Sequence, residues 1–230
     1  MPVRAVTFDV YSALFDTVSG LTRAVETLFR RRGIAGDAAE VVAQAWRRAH
    51  QEYLLIANSL DREGASNRAA IEASARYALR GLAAPLTAVE LAGLIEAWER
   101  LPLWPEAVDV LREVRRRPVA LATLSNGDQA MLETLMAAVP VRFDRIVSTQ
   151  GGKFKPHPSV YQEALTVLGV RADEWLHVAG SPTDAAGATA AGIRTVWINR
   201  RGDAVIDPRF APAVDAADLR RVPALLPAAP

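Results

Sequence analysis

The sequence predicts an α/β protein, a doubly wound parallel sheet with a helical segment inserted after its first strand. Three observations carry that expectation. Short β-rich runs at residues 3–10, 118–124, 145–149, 176–179 and 195–199 are nearly continuous in Val, Ile, Leu, Phe and Ala. That is the pattern of strands buried on both faces. Helical stretches at about 106–116, 128–138, 158–168 and 184–191 alternate with the later runs, as crossovers between parallel strands do. No convincing strand lies between the first run and the second.

In chain order, the first run ends at Asp9. Beyond it, Val42, Trp46, Ala49, Tyr53 and Ile56 step by four and three along one face of a long helix. A second helix is expected over about 67–80 and a third over about 87–100, where Thr87 and Glu90 have capping-box spacing. Leu101-Pro102-Leu103-Trp104-Pro105 ends the helical pattern and returns the chain to the sheet. The expected organisation is a helical cap of residues 16–99 over a core of residues 1–15 and 100–230. The tail from about residue 206 is rich in Ala, Pro and Asp and carries no chemical signal. No internal repeat is present.

The 230 residues hold 27 Lys plus Arg against 26 Asp plus Glu, a net charge of +1. So even a balance argues against a nucleic-acid groove or an anionic membrane surface. Half the residues are hydrophobic, enough for a folded core. The absence of cysteine removes disulfides, thiolate metal sites and a cysteine nucleophile. No apolar run reaches the roughly 18 residues of a membrane span. A soluble, cytoplasmic protein is expected.

Ligands of open α/β sheets bind beyond the carboxyl ends of the strands, and four strand ends here carry reactive groups. The first delivers Asp9, the second Ser125 and Asn126, the third runs on to Lys155, and the fourth leads to Ser181 and Asp184. Each has a plainer reading. Asp9 could cap a turn, and Ser125-Asn126-Gly127-Asp128 could be a turn with an N-cap. Lys155-Pro156-His157-Pro158 could be a loop entering a helix, and Asp184 could cap a helix beginning at Ala185. Their convergence favours a site. A buried Asp9 needs donors around it, Lys155 could keep it ionised, and an ionised carboxylate in a dry pocket can act as a nucleophile. His50 and His177 are isolated and read as structural, with no metal-ligand spacing. Trp98, Trp104 and Trp175 read as packing residues, and Arg115-Arg116-Arg117 as a solvated helix end.

Phe8-Asp9-Val10-Tyr11-Ser12-Ala13-Leu14-Phe15-Asp16 resembles the first motif of the haloacid dehalogenase superfamily. Leu124-Ser125-Asn126-Gly127, Lys155-Pro156 and Gly180-Ser181-Pro182-Thr183-Asp184 resemble its second, third and fourth. Phosphatases of that superfamily place a second Asp two residues after the nucleophile, whereas Tyr11 stands here, as in the L-2-haloacid dehalogenases. Trp46-Arg47 with Glu52-Tyr53, Val160-Tyr161, and Trp197-Ile198-Asn199-Arg200 are also similar to that subfamily.

The resemblance implies a Rossmann-like core, an Asp9 nucleophile, and a small-molecule carboxylate as substrate. Arg47 and Asn126 would attend a departing halide, and Ser125 would hold the substrate carboxylate. Asp184 would direct water onto the Asp9 ester, Lys155 would balance the carboxylates, and Tyr161 would steady that network and touch substrate. Tyr11, Ser12 and Ser181 would line the pocket. No cofactor or metal is implied, and a homodimer is.

The sequence departs from the subfamily at Ser12-Ala13, Ala179, Ser181 and Thr183, and an aromatic of the cap near Ser66 is absent. Two alternatives remain open at this point. One is a Mg²⁺-dependent phosphatase using Asp9, Asp184 and the Tyr11 carbonyl. The other is a catalytically idle binding protein.

Overall fold

The computed structural model describes residues 2–61 and 66–228. Five strands, β1 (Ala5–Phe8), β2 (Ala120–Thr123), β3 (Trp175–Ala179), β4 (Arg194–Ile198) and β5 (Val214–Ala216), form one sheet in the order β2-β1-β3-β4-β5. All four pairings are parallel. Every residue of β1 and β3 is buried, which is why these segments read as unbroken apolar runs. From β1 the chain crosses to β2 on one side and later to β3 on the other, so a topological switch point falls at the end of β1.

The connecting helices are α5 (Ala107–Arg115), α6 (Gln129–Met136), α7 (Pro158–Leu168) and α8 (Pro182–Ala190). Four helices, α1 (Thr17–Arg31), α2 (Ala39–Ser59), α3 (Asn67–Ala78) and α4 (Ala88–Ala97), fill the span between β1 and β2. Asp16 caps α1 by accepting the Ser19 N–H at 3.1 Å, and Leu21, Val25, Leu28 and Phe29 form its buried stripe. The sequence carries both its cap and its apolar spacing. The Thr87–Glu90 capping box of α4 is formed. In α2, Trp46 is wholly buried and donates to the Ile71 carbonyl and Ser74 Oγ of α3. The chain leaves and re-enters the sheet layer side by side, through an antiparallel bridge between Phe15 and Leu103.

Three sequence expectations need correction. Residues 145–149 do not make a regular strand, but touch β2 through parallel bridges at Ala122–Arg145 and Ser125–Ser148. The Thr123 hydroxyl takes the Val147 N–H at 3.0 Å, and the Asp144 carboxylate takes that of Leu121 at 2.9 Å. Side chains thus replace rungs of the ladder. The tail is not inert. It adds β5 at the sheet edge and buries Leu219, Val222 and Leu226. Helix α8 starts at Pro182 with Ser181 as its cap, so Asp184 lies inside the first turn and is not the cap. Near the cap position lacking an aromatic, Ser66 caps α3, while residues 62–65 lie outside the described residues.

Candidate active site

β1 ends at Phe8, and the Asp9 N–H extends its ladder to the Val178 carbonyl at 2.9 Å. The chain then makes one π-helical turn, Val10–Leu14, whose Ser12 N–H donates to Asp9 Oδ2 at 3.2 Å. Close packing makes the turn possible. A Cβ on Gly180 would lie 2.3 Å from the Ala13 nitrogen, so the turn rests directly on the backbone after β3.

The other oxygen, Asp9 Oδ1, accepts from Ser125 Oγ at 3.2 Å and from Lys155 Nζ at 3.0 Å. Lys155 also donates to the Leu124 carbonyl and to Asp184 Oδ2, both at 2.7 Å. Its three ammonium protons are therefore all used. Asn126 places the lysine, accepting its backbone N–H at 2.7 Å and donating to its carbonyl at 3.1 Å.

Asp184 is almost completely enclosed. Ser181 Oγ accepts its N–H, Tyr161 donates to Oδ1 at 3.0 Å, and His177 Nε2 lies 3.0 Å from Oδ2. Burial by itself would raise the Asp184 pKa, but Lys155 and His177 outweigh it and hold the carboxyl well below the usual range. Burial likewise pulls Lys155 down, and Asp184 and Asp9 push it above its ordinary value. Both groups stay charged at neutral pH. The Tyr11 hydroxyl moves up, from burial and then from Asp128, Glu99 and Asp9, and remains a neutral phenol.

Asp9, Lys155 and Asp184 open onto a cavity of about 60 Å³ that Asn126, Tyr11, Ser12 and Ser181 also line. Arg47, His50 and Leu54 reach it from α2, and Trp98 from the end of α4. Arg47 Nη2 donates to Ser12 Oγ at 2.6 Å, tying α2 to the turn after Asp9. Burial and then the charge of Arg201 lower the Arg47 pKa. Tyr11 stands edge-on to Trp98 at 5.3 Å, and its buried hydroxyl has no partner among the described residues.

Ser125 and Tyr161, expected to touch substrate, do not line the cavity. Both are fully buried, with their hydroxyls committed to Asp9 and Asp184. Sequence reasoning missed His177, which lies behind Asp184. Its signal was its place on the same face of β3 as Ala179, in register with Thr7. It also missed the wall made by His50 and Trp98, whose rings lie 4.6 Å apart at a 45° tilt.

The Asp9–Lys155 pair at the switch point of a parallel sheet places the chain among the α/β hydrolases. The chain belongs to the haloacid dehalogenase-like hydrolase family, whose pattern it matches over residues 3–192. It is 31% identical over 223 residues to the (S)-2-haloacid dehalogenase of Pseudomonas sp. (strain YL), covering 96% of this chain and 93% of that one. The crystal structure of L-2-haloacid dehalogenase RSc1362 superposes with a TM-score of 0.89 at 31% identity, covering 99% and 100% of the two chains. The Xanthobacter autotrophicus L-2-haloacid dehalogenase with chloropropionic acid covalently bound gives 0.84 at 27%, covering 97% and 98%.

Proposed function

We propose that the protein hydrolyses a small 2-haloalkanoic acid through an ester on Asp9, with the helices of residues 16–99 acting as the cap over a core of residues 1–15 and 100–230. One observation carries the reading. The Asp9 carboxylate, held by Lys155, Ser125 and the Ser12 N–H, faces a small cavity containing Arg47, with Tyr11 where a phosphatase would need an acid. About 60 Å³ holds on the order of four to six water molecules, the scale of a two- or three-carbon haloacid.

In the first step an Asp9 oxygen attacks C2, the carbon–halogen bond breaks, and halide leaves with the bonding pair towards Arg47 and the free N–H of Asn126. Halide needs no proton, so the absence of an acid at position 11 is no handicap. Water then adds to the Asp9 carboxyl carbon and gives its proton to Asp184. The bond from that carbon to the oxygen on C2 breaks, that oxygen takes the proton back from Asp184, and Asp9 gives up its own acid proton to solvent, so a 2-hydroxy acid inverted at C2 leaves and both carboxylates are restored. Ser12, Ser181 and Tyr11 would contact the substrate carboxylate, and Lys155 offsets charge on Asp9 and Asp184 throughout.

The donor set suits a lysine better than Mg²⁺. Asp184 Oδ2 already accepts from Lys155 and His177, which fills the acceptor positions of that oxygen. The relatives' names and the covalent chloropropionic acid of the Xanthobacter enzyme support the same chemistry.

A single turnover of 2-chloropropionate in ¹⁸O-water tests the ester. The first product should be unlabelled and the Asp9 peptide should gain the label. Label in the first product would make water the attacker, and turnover that needed added Mg²⁺ would favour the phosphatase-like site.

A further inference from the structure

His177 is fully buried at the centre of β3, between Trp175 and Tyr161 at ring distances of 5.9 and 6.3 Å. It links side chains of β1 and β3 to the site through a chain of hydrogen bonds. Trp175 Nε1 donates to Thr7 Oγ1 at 2.7 Å, and Thr7 Oγ1 lies 2.7 Å from His177 Nδ1. His177 Nε2 lies 3.0 Å from Asp184 Oδ2.

The direction of each bond follows from the donors. An indole N–H can only donate, so Thr7 accepts it. Among the described residues, Nδ1 is the acceptor left for the Thr7 proton. Nε2 therefore carries the imidazole hydrogen and points it at Asp184.

A carboxylate offers about four acceptor positions. On Asp184, Lys155 and His177 fill those of Oδ2, and Tyr161 takes one of Oδ1. One remains, on Oδ1, in a residue that lines the cavity. We infer that His177 is a positioning residue for the hydrolytic step. By saturating Asp184 Oδ2, it leaves a single place where the attacking water can bind and lose its proton. The inference rests on the Asp9-ester reading, and it assigns His177 no contact with substrate.

The test uses His177→Phe, which keeps an aromatic ring but no donor, and His177→Gln, whose amide can donate. A third variant, His177→Phe with Thr7→Val, removes the stranded hydroxyl in case the first folds poorly. Rapid-quench measurement with 2-chloropropionate separates halide release from ester hydrolysis. His177→Phe should give a halide burst near the wild-type rate, followed by hydrolysis slowed about tenfold or more, with Asp9 ester accumulating by mass spectrometry. His177→Gln should recover most of the loss. Equal slowing of both steps, or unchanged hydrolysis, overturns the inference, since a merely structural role would not separate them.

¹⁵N-histidine spectra of the resting enzyme give a readout without turnover. The protein has three histidines, and the variants identify the signal of His177, which should show a protonated Nε2 and a bare Nδ1. A protonated Nδ1 with a bare Nε2 sinks the proposal even in a fully active enzyme. A wild type with the expected tautomer whose first-turnover product carries label from ¹⁸O-water would instead remove the ester reading, and with it the hydrolytic role.

Discussion

Asp9 can be replaced by an amide of the same size that keeps most of its contacts but cannot attack carbon. Asp9→Asn should lower kcat by at least about 10⁴-fold while the melting temperature stays within a few degrees, as activity assay and calorimetry would show. Lys155 behaves differently, because its ammonium joins two enclosed carboxylates. Lys155→Met leaves them facing each other without a cation, which costs on the order of 3–5 kcal/mol, readable by urea denaturation. His50 sets a pH dependence of its own. Burial, opposed by its bond to Asn67 and aided by Arg47, lowers its pKa from 6.5 to about 4. Between those values the unfolded chain takes up a proton that the folded one refuses. Stability therefore falls as pH drops from about 6.5 to 4, by a few kcal/mol at most, and is unaffected by this group above that window. His50→Leu should flatten this part of the curve of melting temperature against pH.

At the scale of elements, the loops after β1 and β2 hold the inserted helices in place. Asp128 precedes α6, yet its side chain does not cap that helix. It crosses to α3 and accepts the N–H groups of Asn67 and Arg68 at 2.8 and 3.0 Å, where a helix N-terminus favours a carboxylate. Asn58 near the end of α2 makes a similar link, pairing with both the N–H and the carbonyl of Phe154, next to Lys155. Asp128→Ala should cost about 1–2 kcal/mol in denaturant titrations. Gly180→Ala is expected to be worse for function than for folding. Overpacking costs roughly 1–3 kcal/mol, but the clash falls on Ser12 and Ala13, the turn that orients Asp9, so kcat should fall more steeply than stability.

For the whole molecule, the last strand and the turns after it close one edge of the core. Ala216, Leu219, Val222 and Leu226 are buried, all four packed into the cluster that includes α5. Each large apolar side chain so placed contributes about 1.5–3 kcal/mol. A chain ending at Ala211 should therefore lose on the order of 5 kcal/mol and melt at a much lower temperature, even though no residue of the cavity is removed. Among the described residues no helix is long and apolar enough to cross a membrane.

The sequence by itself determined the parallel sheet, because strands buried on both faces must be continuous in apolar residues, as β1 and β3 are. It also marked the strand-free span after β1, the ends of β1, β2 and β3 that lead to Asp9, Ser125 and Asp184, and the run at 145–149 that leads to Lys155, since chemistry collects at the carboxyl edge of such sheets. The short β5, in a stretch of Ala, Pro and Asp, left no periodic signal. Only the tertiary structure decided which groups meet. That Lys155 spans both carboxylates, that Ser125 and Tyr161 turn away from the cavity, and that His177 backs Asp184 depend on contacts between residues 7 to 146 positions apart. Local pattern encodes burial and period; hydrogen-bond partners across strands are set by register and packing, which no single segment contains.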